Sequence, residues 1–213
     1  MFIDRQAIEA MEHLYRVAFI NSLSGFKSAN LLGTVDAEGQ TNLSIVSSCI
    51  HIGAHPPLMA MVVRPHSVDR HSLENLLATG VYTLNHVNRK IYQQAHQTSA
   101  RYPKEVSEFA ATGLTECWQQ DFGAPYVQEA NIRLGLAFRE HHHLAINGTE
   151  MIIGEIMQVW VPDDCVLEDG FVDIERAETV ALSGLDRYHR SEHLARLSYA
   201  KPDTPVKDIS KKP

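Results

Sequence analysis

Apolar residues along the chain fall mostly in short alternating runs bounded by glycine, proline or polar turn residues. This pattern predicts a mainly β protein with flanking helices. Residues 8–20 read as one helix, because Ile8, Met11, Tyr15 and Ala18 share a face and no proline or glycine interrupts them. Residues 28–35 read as a strand, 36–39 as a turn, and 41–50 as a further strand with a bend near Ser47 and Ser48. His55-Pro56-Pro57 is excluded from a sheet interior, since proline supplies no ladder donor. Strands are predicted over 58–63, 81–86, 132–140 and 149–161. A helix over 70–79 is expected to be capped by Ser67 or Asp69 and closed by Gly80. Another helix is predicted over 92–99. Residues 102–126 read as short helices and loops, and 172–183 as a helix or turn with a last strand. About six strands joined mostly by short turns predict a closed or partly closed antiparallel barrel. The expectation is a single domain over 1–213 with a flexible C-terminal tail from about 201.

Composition narrows the function classes. The chain has 213 residues, 44% of them apolar, enough for one sizeable core. A formal net charge of -7 argues against nucleic acid as a partner, because phosphate backbones reward clustered Lys and Arg. The three cysteines, Cys49, Cys117 and Cys165, have no metal-ligand spacing and form no disulfide framework. Asp4, Arg5 and Glu9 interrupt any signal-peptide pattern, and no apolar run is long enough for a membrane span. A cytoplasmic protein with no membrane partner is expected.

The stretch that carries chemistry runs from Thr41 to Asn85. Asn42, Ser44 and Val46 share one strand face, and Ser47, Ser48 and Cys49 follow. Small polar side chains there let a planar cofactor lie against the backbone. Composition alone favours a solvent-facing strand edge rich in Ser and Asn. Arg64 ends a strand, and Arg70, His71 and Ser72 open a helix, where free N–H groups and an arginine fork suit a mononucleotide phosphate. A solvated helix start is the plain alternative. His141-His142-His143 cannot converge on one metal, because neighbours on a strand point to opposite faces. Cys49 reads as a small buried side chain. The motifs Gly-x-Ser-x-Gly and Gly-x-Gly-x-x-Gly are absent, and no catalytic side chain is assigned.

The order Asn42-x-Ser44, Pro56-Pro57, strand, helix, Tyr82-Thr83-x-Asn85 resembles the flavin reductase-like proteins with the FMN-binding split barrel fold. So do the segments 96–102, 107–109, 124–127 and 183–188, and the likeness spans residues 24–199. It implies a homodimer with FMN at the subunit interface. By that likeness Asn42 to Cys49 line the isoalloxazine and ribityl chain, and Arg64, Arg70, His71 and Ser72 meet the phosphate. The segment 97–101, with Gln97 and Ser99, would come from the partner subunit. The chain departs from the family at Gly148-Thr149-Glu150, where reductases of two-component monooxygenases carry Gly-Asp-His. A carboxylate there would repel a nicotinamide nucleotide's phosphate or change proton delivery, which puts NAD(P)H as electron donor in question. The implied function is an FMN-binding oxidoreductase. The alternatives are a non-catalytic flavin carrier or sensor, and a barrel holding another planar ligand such as haem through His51 or His55.

Overall fold

Two strands that follow one another in the chain lie at opposite edges of the main sheet, and this sets the architecture. The structure is a computed structural model and describes residues 1–65 and 69–210. Helices α1 (Arg5–Ala10) and α2 (His13–Ser22) precede β1 (Lys27–Ser28), β2 (Asn30–Val35), β3 (Thr41–Val46), β4 (Cys49–Ala54) and β5 (Pro57–Val63). Then come α3 (His71–Thr79), β6 (Val81–His86), α4 (Tyr92–Gln97), α5 (Glu108–Thr112) and the short pair β7 (Glu116–Cys117) and β8 (Tyr126–Val127). The long strands β9 (Arg133–Leu144) and β10 (Thr149–Trp160), a 3-10 turn, β11 (Val180–Ser183) and β12 (Arg187–Arg190) complete the described elements.

Seven strands pair in the order β3-β2-β6-β9-β10-β5-β4, all antiparallel. Laid flat, six spacings of about 4.8 Å would hold the edges roughly 29 Å apart. Only Ser47 and Ser48 join β3 to β4, and such a link reaches roughly 10 Å. The sheet must therefore roll until its edges approach. Ser48 settles the bend by donating through Oγ to Val62 O (2.6 Å) and accepting from Val62 N (3.2 Å).

Rolling gives the sheet an inside and an outside, and both are apolar. Leu32, Met61, Tyr82, Leu84, Leu136 and Ile152 cluster with Leu73 and Leu76 of α3 on one face. Leu31, Leu43, Ile91, Ala95, Phe109 and Val127 cluster on the other, under α4 and α5. Adjacent Leu31 and Leu32 of β2 enter opposite clusters, and all six residues of the strand are buried. Gly154, at a register shift between β9 and β10, makes room for the Tyr82 hydroxyl, which a Cβ there would strike.

Several elements depart from the sequence pattern for local reasons. The expected 8–20 helix is two helices, because Asp4 caps α1 by accepting from Ala7 N (2.9 Å) and Glu12 caps α2 by accepting from Tyr15 N (3.0 Å). Neither helix buries a residue, and Leu14 and Tyr15 stay exposed. Asp69 does not cap α3: Arg70 holds the cap position without a side-chain bond, and Ser67 lies outside the described residues. Gly80 closes α3 with φ 75°, as its position predicts. Pro57 enters the sheet after all, at the first position of β5 opposite Ala54. Strand β9 runs past Glu140 and takes in the three histidines. Beyond residue 200 the chain turns at Lys201–Thr204 and returns beside Leu197.

Gly154→Ala is expected to destabilise the protein by about 1–3 kcal/mol through overpacking. Urea unfolding against the parent chain measures this, and an unchanged midpoint would show that Tyr82 yields freely.

Candidate functional site

An open cleft of about 390 Å³ lies where the start of α3 faces the segment after α4. Its lining includes Arg70, His71 and Ser72 on one side, Ser99 and Arg101 on the other, and Glu108. The α3 ladder begins with Glu74 N donating to Arg70 O (3.0 Å), which leaves the earlier N–H groups of the first turn outside the helix's own bonding. Arg70 Nη2 donates to Pro65 O (3.4 Å), while its Nε is buried without a partner among the described residues. Burial first, then the charges of Arg64 and Arg101, pushes the Arg70 guanidinium below its ordinary pKa. A desolvated cation with a spare donor, beside a helix start, is a site made for an anion.

The floor of the cleft is polar and tightly bonded. Asn42 Nδ2 (2.8 Å) and Leu43 N (2.9 Å) both donate to Glu108 Oε2. Ser72 Oγ donates to Asn42 Oδ1, and Ser44 Oγ lies 2.8 Å from Ser72 Oγ. Because β3 is a sheet edge, Leu43 N–H has no strand to receive it, and Glu108 satisfies it. Burial raises the Glu108 pKa, against the opposing pull of Leu43 N–H, His71 and Asn42. Glu108 lies in a segment that carries the family likeness, but no site role was expected of it, because an acidic residue in a first helical turn reads as ordinary helix chemistry.

The structure thus brings six of the sequence-derived residues together: Asn42, Ser44, Arg70, His71, Ser72 and Ser99. Ser99 and Arg101 line this cleft within the same chain. The other residues stand apart. Val46 and Cys49 pack against the inner cluster, and burial raises the Cys49 thiol to about 12, so it is no reactive thiolate. Ser47 and Ser48 form the bend between the edges. Arg64 is exposed at the end of β5. Gln97 is exposed and donates to the Tyr102 hydroxyl (3.1 Å). His51 and His55 are exposed on the β4–β5 hairpin, away from the cleft lining. Among the described residues no His, Cys, Asp and Glu group could hold a metal, and no helix is long and apolar enough to cross a membrane.

Glu150 is not the bare carboxylate that the sequence suggests. His141 Nε2 lies 2.6 Å from Oε2 and His143 Nδ1 2.8 Å from Oε1, so both carboxylate oxygens are engaged. Those two bonds, that from His143 first, hold the Glu150 carboxyl below its usual range. His142 faces the other way and meets Glu140 (2.8 Å), as strand alternation requires. Glu150 pairs across the sheet with Val63, which lines the cleft, so imidazoles rather than a free carboxylate flank that wall.

The raised Glu108 pKa yields a signed prediction. The native state holds this proton more tightly than the unfolded chain, so stability falls as pH rises from the unfolded value through the folded one. A Glu108→Gln variant keeps an acceptor for Leu43 N–H without the charge. It should match the parent below about pH 4.5 and exceed it in melting temperature at pH 7. Equal melting temperatures at both pH values would contradict this.

Comparison with known proteins agrees with the geometry. The family described as flavin reductase like domain matches residues 23–177. A candidate flavin reductase with a split barrel domain from Shewanella frigidimarina is 57% identical over 94% of this chain and 100% of that one, with TM-score 0.91. Nitrilotriacetate monooxygenase component B from Bacillus cereus shares the fold at TM-score 0.80 and 18% identity, covering 92% of this chain and 98% of its own. Flavoredoxin of Desulfovibrio vulgaris does so at TM-score 0.69 and 24% identity, covering 81% of this chain and 91% of its own. With this match over most of its length and the rolled sheet closing at Ser47–Ser48, the chain belongs to the flavin reductase-like family with the split barrel fold.

Proposed function

We propose that the protein is an FMN-dependent oxidoreductase that holds the flavin with its phosphate in the cleft at the start of α3. The observation that carries this reading is Arg70, a partly buried guanidinium whose Nε has no partner among the described residues, beside first-turn N–H groups that lie outside the helix's own bonding. A phosphate fits that donor set, and Arg101 adds a second cation at the opposite wall. Bound flavin would supply the hydride or electron chemistry. The chain's own residues would bind and orient it. Arg70, His71 and Ser99, with the main-chain N–H of Ser72, would hold the phosphate end, and the strand carrying Asn42 and Ser44 would back the remainder.

NADH or NADPH is the proposed electron donor. The hydrogen bonding of both Glu150 oxygens by His141 and His143 supports this, because the carboxylate is buried and engaged rather than presented to an incoming nucleotide phosphate. The same fact weakens the case for a non-catalytic carrier. A homodimer is also proposed. Its support is the set of large apolar side chains left exposed on α2 and β4, among them Leu14, Tyr15, Ile50 and Ile52.

Titration of the purified protein with FMN should quench flavin fluorescence at micromolar levels, with NADH or NADPH oxidised when FMN is added. Arg70→Ala should weaken FMN at least ten-fold, about 1.4 kcal/mol, and leave riboflavin, which lacks the phosphate, nearly unchanged. No quenching by the parent protein, or equal losses for both ligands, would overturn the assignment.

A further inference from the structure

Cations at the rim of the cleft outnumber what one flavin phosphate can use. A phosphate monoester carries a charge of about -1.5 to -2 near neutral pH, and Arg70 and Arg101 in the cleft lining already answer it. Two further cations lie next to them. Arg64 follows Val63, the last residue of β5 and part of the lining, but stands outside the lining itself. Its neighbour Pro65 accepts from Arg70 Nη2 (3.4 Å), which draws the two arginine-bearing segments together. On the other side comes Lys27 of β1. Ser28 Oγ donates to Cys49 O (3.3 Å), and Ser48 Oγ donates to Val62 O (2.6 Å), so β1 is tied through the sheet bend to the end of β5. The Arg64 charge is felt by both neighbours. Burial first and Arg64 second lower the Lys27 pKa, and Arg64 follows burial in the same way at Arg70.

Lys27 is held in place rather than trailing in solvent. It is partly buried, and its Nζ donates to Gly184 O (2.6 Å) and reaches Asn21 O (3.5 Å). Two neutral carbonyls thus fix the ammonium, and one of its three hydrogens remains. Among the described residues neither Lys27 nor Arg64 pairs with a carboxylate. Asp186, two residues beyond Gly184, acts instead on Tyr188, whose pKa burial and then the Asp186 charge push up to about 12. Two like charges this close repel each other, and an anion between them removes that cost. The flavin phosphate cannot serve, because its charge is met inside the cleft.

We propose that Arg64 and Lys27 form a second phosphate site at the rim, which takes a phosphate of the dinucleotide electron donor while the flavin phosphate stays with Arg70. The inference rests on the FMN reading and on the proposed NADH or NADPH donor. The nicotinamide must enter the cleft to meet the flavin, whereas its phosphates can remain outside, where these two cations stand. The donor offers this chemistry from two sources: the pyrophosphate common to both nucleotides, and the 2′-phosphate that NADPH alone carries.

Steady-state kinetics at saturating FMN, on the parent and on Arg64→Gln, measure the donor KM, and fluorescence titration measures FMN affinity. Arg64 is exposed, so the fold should survive, and an unchanged melting temperature checks this. Arg64→Gln should raise the donor KM about ten-fold, the low end for a hydrogen bond to a charged group, with kcat and FMN affinity within about two-fold of the parent. Arg64→Lys, which keeps the charge, should recover much of the loss. An equal rise for NADH and NADPH identifies the pyrophosphate, and a rise for NADPH alone identifies the 2′-phosphate. Unchanged KM values for both nucleotides overturn the proposal. So does an FMN affinity that falls as far as KM rises, which would return Arg64 to the flavin phosphate. A parent protein that binds FMN but oxidises neither nucleotide defeats the donor reading, and one that binds no FMN defeats the flavin reading. In either case the second site falls with it.

Discussion

The two-residue link between β3 and β4 is the constraint on which the site depends. It forces seven strands to roll, and it leaves β3 as a lip with one side unpaired. An unpaired edge carries a backbone N–H that must find an acceptor. Glu108 fills that need at Leu43, and in doing so it anchors α5 to the lip and fixes Asn42. The polar floor of the cleft thus follows from the requirement to close a sheet edge.

Charge is arranged against the bulk balance of the chain. The protein is acidic overall, with net charge -7, yet the cleft gathers Arg70 and Arg101 beside the exposed Asp69 and the buried Glu108. Arg70 and Glu108 both sit where burial disfavours their charged forms, and neither is paired with the other in the described bonds. Arg70 keeps an unused donor, whereas the Glu108 Oε2 is committed to Asn42 and Leu43. The cation is the member left available to a ligand. On the neighbouring wall both oxygens of the buried Glu150 are hydrogen-bonded by imidazoles.

Much of this was legible in the sequence. The strand periods, the bend at Ser47–Ser48, the helix closed by Gly80 and the grouping of Arg70, His71 and Ser72 all follow from local pattern. Local pattern fails where a partner is distant in the chain. Nothing near Glu108 in sequence shows that it reaches the β3 edge 65 residues away. The same holds for Glu150: its charge looked free because His141 and His143 sit across a hairpin, on a strand the periodicity ended at residue 140. Residues 8–20 misled for the opposite reason. Their apolar period is helical throughout, but Glu12 caps a new helix in the middle, and no core lies beneath to favour a single one. Val46 shares the face of Asn42 and Ser44, and it and Cys49 pack against the cluster of Leu32 and Met61, a contact that strand alternation does not reveal.

The most direct test of the central claim is a crystal structure of the protein grown with FMN. The account predicts the flavin phosphate within hydrogen-bonding distance of Arg70 Nε and the first N–H groups of α3. A flavin whose phosphate lies elsewhere, with Arg70 Nε still unpartnered, would contradict it.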